Sequence, residues 1–410
     1  MAGEKLPSDG NHRDSRFRSD LRVQVFAGNG PDWRRLAFPV TEATGVASMK
    51  VIAGWCIFTG LTVLSRIASA DISSASCEAA QKYSAAHGGL SLLVMRDDEI
   101  VYEAYSNGYG SDRIASIFSG TKGFWCVAAI AAEQDGILDL DEPVKNTIFE
   151  WQNHPDKAGI RIRNLLNFTA GIEPVFALHG KTIRDRNGYS IRRPAVQSPG
   201  QSFMYGPSQL QIFSEVLRRK LLRRHLTPRV YLTRRILRPL GIGDVDFRED
   251  AEGNPLLASG FKLTARQWLR LGILVLHKGK YGYRQIVPSE LLGECFRGTR
   301  ANPMFGMGFW LNRTANDPFV REVDVEKMLD IPWQRQDWHH DCLCREAPRD
   351  LIAAIGSHYQ RMFIIPSMNL IVVRQGREAS FSDARFLRLI LGEEQPHKVL
   401  AHSSSIKTSS

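Results

Sequence analysis

Cysteine is scarce in this sequence, six residues in 410, and no pair of CxxC motifs occurs. That excludes a structural zinc module, and the count is far too low for a small disulfide scaffold. Long apolar runs are also missing. The one extended stretch, Val51 to Leu64, is 14 residues, short of the roughly 20 that a membrane-spanning helix needs. There is no internal repeat and no block of like charge. The net charge of +10 is spread along the chain, which fits an anionic environment better than a reader of nucleic acid. What is present is 43% apolar and 23% charged side chains, enough to bury one large core or two modest ones. Disorder and collagen-like structure are excluded by the same balance.

The 14-residue run is preceded by Met49 and Lys50 and followed by Ala68-Ser69-Ala70. A basic start, a short apolar centre and an A-x-A exit describe a secretory signal. The competing reading, a buried core helix, has no partner element in the turn-rich stretch before it. Residues 1–48 are hydrophilic and unpatterned, so they read as an upstream extension, with translation beginning at Met49. If they are translated, the run becomes an internal anchor instead. Residues 49–70 are then the signal, and the mature chain starts near Asp71 in the periplasm or outside the cell, with no membrane span of its own. It keeps Cys77, Cys126, Cys295, Cys342 and Cys344. An exported chain can form disulfides, and an odd count leaves at least one thiol unpaired. Cys126, in an apolar helical stretch, reads as a small core residue.

Along the mature chain, Leu90–Met95 and Ile100–Ala104 predict a hairpin split by Arg96-Asp97-Asp98-Glu99. Apolar spacing predicts a helix from Ser119 to Leu138, with Gly136 at its exit. Another helix opens over Ile160–Asn167, and Ser208–Leu240 is helical, basic and broken at Pro228. Thr264 caps a helix that runs to His277. Met362–Ile365 and Leu370–Val373 form a terminal hairpin turned by Pro366–Asn369, and Phe381–Gly392 a closing helix. Residues 401–410 read as a disordered tail. Strands at both ends of a helical centre predict an α+β fold: one antiparallel sheet flanked by helices, with a helical lobe inserted at about 125–260.

Ser119-Gly120-Thr121-Lys122 is an S-x-x-K tetrad at the start of a predicted helix. A spacing of three places hydroxyl and amine on one face, beside the free N–H groups of the helix start. A neutralised lysine there can take the hydroxyl proton and make the serine a nucleophile. The tetrad alone has little specificity. Ser404-Ser405-Ile406-Lys407 fits it in the tail by chance.

Five ordered blocks sharpen the reading. Arg113-Ile114-Ala115-Ser116-Ile117-Phe118-Ser119-Gly120-Thr121-Lys122 resembles the active-site block of serine β-lactamase-like hydrolases. That family includes class C β-lactamases, D-alanyl-D-alanine carboxypeptidases, esterases and nylon-oligomer amidases. Gly136–Val144 resembles its post-helix loop, and Ile162–Gly171 its I-R-x-L-L-x-x-T-S-G signature. Pro239–Ile242 and Ala258–Arg266 are similar to later segments. The resemblance spans roughly residues 80–392 and implies the β-lactamase/transpeptidase-like fold for a catalytic domain at 71–400.

It also implies further site residues. Tyr205, in Pro199–Pro207, matches the tyrosine of the family's Y-x-N motif; beside a lysine ammonium its phenol would be acidified into a general base. Pro207 stands where the motif has Asn, a residue that helps hold the substrate amide. Ala354-Ile355-Gly356 aligns with the Lys-Thr-Gly triplet, so the cation is missing, with His358 nearby. The N–H groups of Ser119 and Ser357 would form the oxyanion hole. The expected function is that of an exported serine hydrolase using a Ser119 acyl-enzyme on an ester, amide or peptide-like substrate. Esterase or amidase action is favoured over efficient β-lactamase action, and no cofactor or metal is needed. The partner is a small-molecule or peptide-like substrate, with cell-wall material among the candidates, and not nucleic acid. A true β-lactamase or D,D-carboxypeptidase is one alternative; a non-catalytic peptidoglycan or peptide binder is another.

Two other clusters complete the inventory. Asp337–Cys344 contains His339, His340, Cys342 and Cys344, but not at ligand spacing, and reads as a loop bordering the cleft. The basic stripe of Arg218, Arg219, Lys220, Arg223, Arg224, Arg234 and Arg235 reads as a solvated helix face.

Overall fold

The computed structural model describes residues 72–393, apart from 316, 318 and 378. Residues 1–48, the expected signal at 49–70, the expected tail and its Ser404 tetrad lie outside the described residues. Helix α1 (Ser74–Ala86) comes first, and its pattern does not announce it: its buried residues are Ser76, Cys77, Ala80 and Ser84, small side chains that draw no apolar stripe. The expected hairpin follows as β1 (Gly89–Arg96) and β2 (Glu99–Tyr105). Asp97 and Asp98 both take positive φ, as a tight two-residue hairpin turn requires.

Helix α2 (Thr121–Gln134) begins two residues later than predicted, because Phe118–Gly120 form a 3₁₀ turn. Helix α3 (Pro207–Leu222) is followed, after residues 223–227, by a shorter helix at Pro228–Leu232 that runs into a π turn. Thr264 caps α4 (Ala265–Leu276) through a reciprocal box with Gln267, which satisfies two otherwise free N–H groups. Later in the chain come β3 (Trp310–Leu311), α5 (Val325–Asp330), β4 (Ile352–Gly356), β5 (Gln360–Ile365), β6 (Leu370–Gly376) and α6 (Asp383–Leu391).

One antiparallel sheet runs β2-β1-β6-β5-β4-β3. Its N-terminal hairpin pairs with the C-terminal strand, Val94 opposite Val372. Strands β4, β5 and β6 are buried along their whole length, so both faces must be covered. Neighbouring residues on β5 show how, since successive side chains point to opposite faces. Gly272 of α4 lies against Met362 on one face, while Phe386 of α6 packs on Phe363 on the other. The fold is the α+β arrangement expected. The segments between β2 and β4 carry a second set of buried side chains, among them Trp125, Phe168, Phe213 and Phe261.

Cys126 is more than a core filler. It forms a disulfide with Cys295, 169 residues away, tying α2 to the segment after Ser289–Gly293. The apolar spacing around Cys126 cannot reveal so distant a partner. Cys77, Cys342 and Cys344 are free and buried.

Candidate active site

The tetrad is assembled by strain and close packing. Phe118 has φ +44, a conformation side chains rarely accept, and it turns the chain so that Ser119 leads into α2. Strand β4 ends against this turn. A Cβ at Gly356 would lie 2.1 Å from the Ile117 carbonyl oxygen, so only glycine permits the approach. Gly356 and Ser357 thereby reach the Ser119 cleft.

Lys122 is buried, with its Nζ 2.7 Å from Ser119 Oγ and 2.8 Å from the Ala258 carbonyl oxygen. Burial pushes its amine well below the ordinary lysine range, because an ammonium loses its hydration there. In its neutral form such an amine can donate to Ala258 and offer its lone pair to the serine hydroxyl.

Tyr205 is half-buried, in ring contact with Phe168 and Trp310, and its hydroxyl is hydrogen-bonded to Ser119. Desolvation raises the phenol well above its usual range. The expected acidification is therefore overturned. Lys122 lies 4.6 Å from the ring centroid, over its face. His358 is also placed differently from the expectation. Its ring packs on Phe118, its amide donates to Glu326, and it is not among the residues lining the cleft. Ala354 is buried in β4.

The cleft of about 450 Å³ is lined by Ser119, Tyr205, Gly356 and Ser357, together with Phe176, His179, Trp310, Glu326, Leu329, Asp330 and Ile355. His179 was not singled out in the sequence. Its Nδ1 is 2.8 Å from Ser259 Oγ; burial, with Lys122, Arg248 and Arg186 nearby, holds it down to about 4. It is a neutral imidazole at neutral pH. Glu326 and Asp330 are the charged residues of the lining. No local motif marks these three: His179 ends a 3₁₀ turn at Phe176–His179, and Glu326 and Asp330 share the six-residue helix α5.

The remaining sequence candidates lie elsewhere. His339 and His340 each sit 3.4 Å from Asp337 on the surface, while Trp338 packs on Trp310 behind the cleft. Among the described residues the group with metal-compatible spacing is Glu322, Cys344 and Glu346, and Arg388 already spans its two carboxylates. The basic stripe is largely paired, Arg218 and Arg219 with Glu215, Lys220 with Glu142 and Arg235 with Asp135. A larger groove of about 780 Å³, lined by Glu150, His154, Glu215 and Arg218, holds no comparable nucleophile and base.

No helix among the described residues is long and apolar enough to cross a membrane. No curated protein sequence matches the chain. Solved structures share the fold at low identity. A candidate beta-lactamase from Bacteroides dorei DSM 17855 is 18% identical, with a TM-score of 0.57 over 78% of this chain and 95% of that one. A class C beta-lactamase from Rhodobacter sphaeroides is 17% identical, with a TM-score of 0.55 over 78% and 99%. A family VIII carboxylesterase is 16% identical, with a TM-score of 0.55 over 78% and 97%. The Beta-lactamase family model matches residues 75–375, most of the chain and nearly all of the described fold, and the chain belongs to that family of hydrolases.

Proposed function

We propose that the protein is an exported serine hydrolase that forms an acyl-enzyme on Ser119. The observation that carries this reading is the buried Lys122 amine 2.7 Å from Ser119 Oγ. In acylation the Ser119 oxygen bonds to the substrate carbonyl carbon while its proton passes to Lys122 Nζ. The carbonyl π pair moves to oxygen, facing the N–H groups of Ser119 and Ser357. Collapse of the adduct breaks the bond to the leaving group, which takes the proton from Lys122. Water repeats the sequence: its proton goes to Lys122, its oxygen bonds to the acyl carbon, and Ser119 leaves with the proton. Tyr205 keeps its proton and holds Ser119 Oγ through the hydroxyl–hydroxyl bond.

A neutral ester or amide suits the cleft better than a β-lactam. Its charged lining is acidic, Glu326 and Asp330, and a cephalosporin brings a carboxylate that finds no cation there. Pro207, at the first turn of α3, supplies no side-chain amide. Cell-wall material remains within the substrate class, as peptide-like amides.

The test is hydrolysis of p-nitrophenyl acetate beside a chromogenic cephalosporin, with Ser119→Ala as control. We expect ester turnover, little cephalosporin turnover, no activity in Ser119→Ala, and fluorophosphonate labelling that the variant abolishes. Full esterase activity in Ser119→Ala would remove the nucleophile; fast cephalosporin turnover would overturn only the specificity.

A further inference from the structure

The peptide unit joining Gly356 to Ser357 is held from behind by charged side chains that sequence motifs do not include. Arg361 Nη1 donates to the Gly356 carbonyl oxygen at 2.9 Å. The same Nη1 lies 3.0 Å from Glu326 Oε1. Glu326 also accepts the amides of His358 at 3.0 Å and Tyr359 at 2.8 Å. Those two residues have φ +60 and +55, a left-handed pair without a glycine, which the chain holds only where its surroundings enforce it. Tyr359 Oη donates to Asp324 Oδ2 at 2.9 Å, and Asp324 caps α5, on which Glu326 stands. Arg361 is completely buried and pairs with Asp383 at 2.6 Å.

A trans peptide is planar, so its C=O and N–H point in opposite directions. Arg361 draws the Gly356 carbonyl inward, which turns the Ser357 N–H the other way, toward the cleft that Ser119, Gly356 and Ser357 line. We infer that the Glu326–Arg361 pair is the positioning device of the oxyanion-binding peptide, Arg361 setting its plane and Glu326 fixing the turn that follows. This rests on the acyl-enzyme reading above. Glu326 need not touch substrate; it acts through the Ser357 N–H.

Oxyanion donors work only when aimed before charge develops, and a misplacement of about 1 Å can cost on the order of 10²-fold. Glu326→Ala should therefore lower kcat for a p-nitrophenyl ester by roughly 10–100-fold, with KM nearly unchanged. Glu326→Gln, which keeps an acceptor oxygen and loses the charge, should fall between it and the wild type. A thionoester of the same acyl group separates positioning from general loosening. Its sulfur accepts hydrogen bonds poorly and gains little from the two amides, so its turnover should fall far less. Equal losses on ester and thionoester, or an unchanged kcat, would overturn the inference. If Glu326→Ala does not fold, the near-isosteric Glu326→Gln carries the same comparison. Ser119→Ala, run in parallel, separates the two levels. Its retention of activity would remove the acyl-enzyme reading, whereas a dead Ser119→Ala beside a fully active Glu326→Ala would remove the positioning role alone.

Discussion

A buried lysine without a counter-ion destabilises the fold that contains it, and Lys122 is such a residue, with Ser119 and the Ala258 carbonyl as its hydrogen-bond partners. Its folded pKa lies below the unfolded value near 10.4, so between the two the unfolded chain binds more protons and stability rises with pH. The cost is greatest below the folded pKa and disappears as pH climbs toward the unfolded one. Lys122→Met should thus melt at a higher temperature than the wild type at neutral pH. Its advantage should shrink as melting curves are taken toward pH 10, while kcat falls by about 10²–10⁴. An identical melting temperature across that range would show that the amine is not desolvated as the structure has it. Tyr205→Phe should cost much less, roughly tenfold, because it loses one hydrogen bond and no proton acceptor; a loss as large as that of Lys122→Met would restore the phenol as the base. The tetrad and the tyrosine were legible in sequence because they sit in contiguous strings. The direction in which burial shifts each of the two was not. That depends on burial by Ala258, Phe168 and Trp310, brought in from distant parts of the chain.

Elements were legible where their signals are local. The Thr264 cap, the Asp97-Asp98 turn and the apolar run of β6 all act within a few residues, and each element formed where it was expected. Helix α1 was not legible, since serines and alanines pack it without an apolar stripe. The Glu326–Arg361–Asp383 assembly was not legible either, because it draws on α5, β5 and α6. Its energetics make a prediction at this scale. Arg361 and Asp383 side chains are 0% and 1% exposed, and removing one member of such a pair leaves a buried charge short of a partner. Asp383→Ala should cost about 3–5 kcal/mol in urea unfolding. A cost below about 1 kcal/mol, the size of an exposed pair, would mean that Glu326 alone satisfies Arg361.

For the molecule as a whole, the export proposed above would place the disulfide in an oxidising compartment. Cys126 and Cys295 are buried and close a loop of 169 residues, and a link of this kind persists in oxidising surroundings, not in a reduced cytosol. It ties the helix that carries Lys122 to the rest of the fold, so the double variant Cys126→Ala/Cys295→Ala should lose about 2–5 kcal/mol of stability. Export is argued from residues the structure does not describe: Lys50, the run Val51–Leu64 and the Ala68-Ser69-Ala70 exit. Begun at Met49 in a Gram-negative host, the chain should accumulate in the periplasm with Asp71 as its first residue, and its intact mass should be two hydrogens below that of the fully reduced chain. The same chain begun at Asp71 and kept in the cytosol should carry both thiols and melt at a lower temperature. N-terminal sequencing that found Met49 on soluble protein would refute cleavage, and free Cys126 and Cys295 in periplasmic material would break the link between compartment and fold.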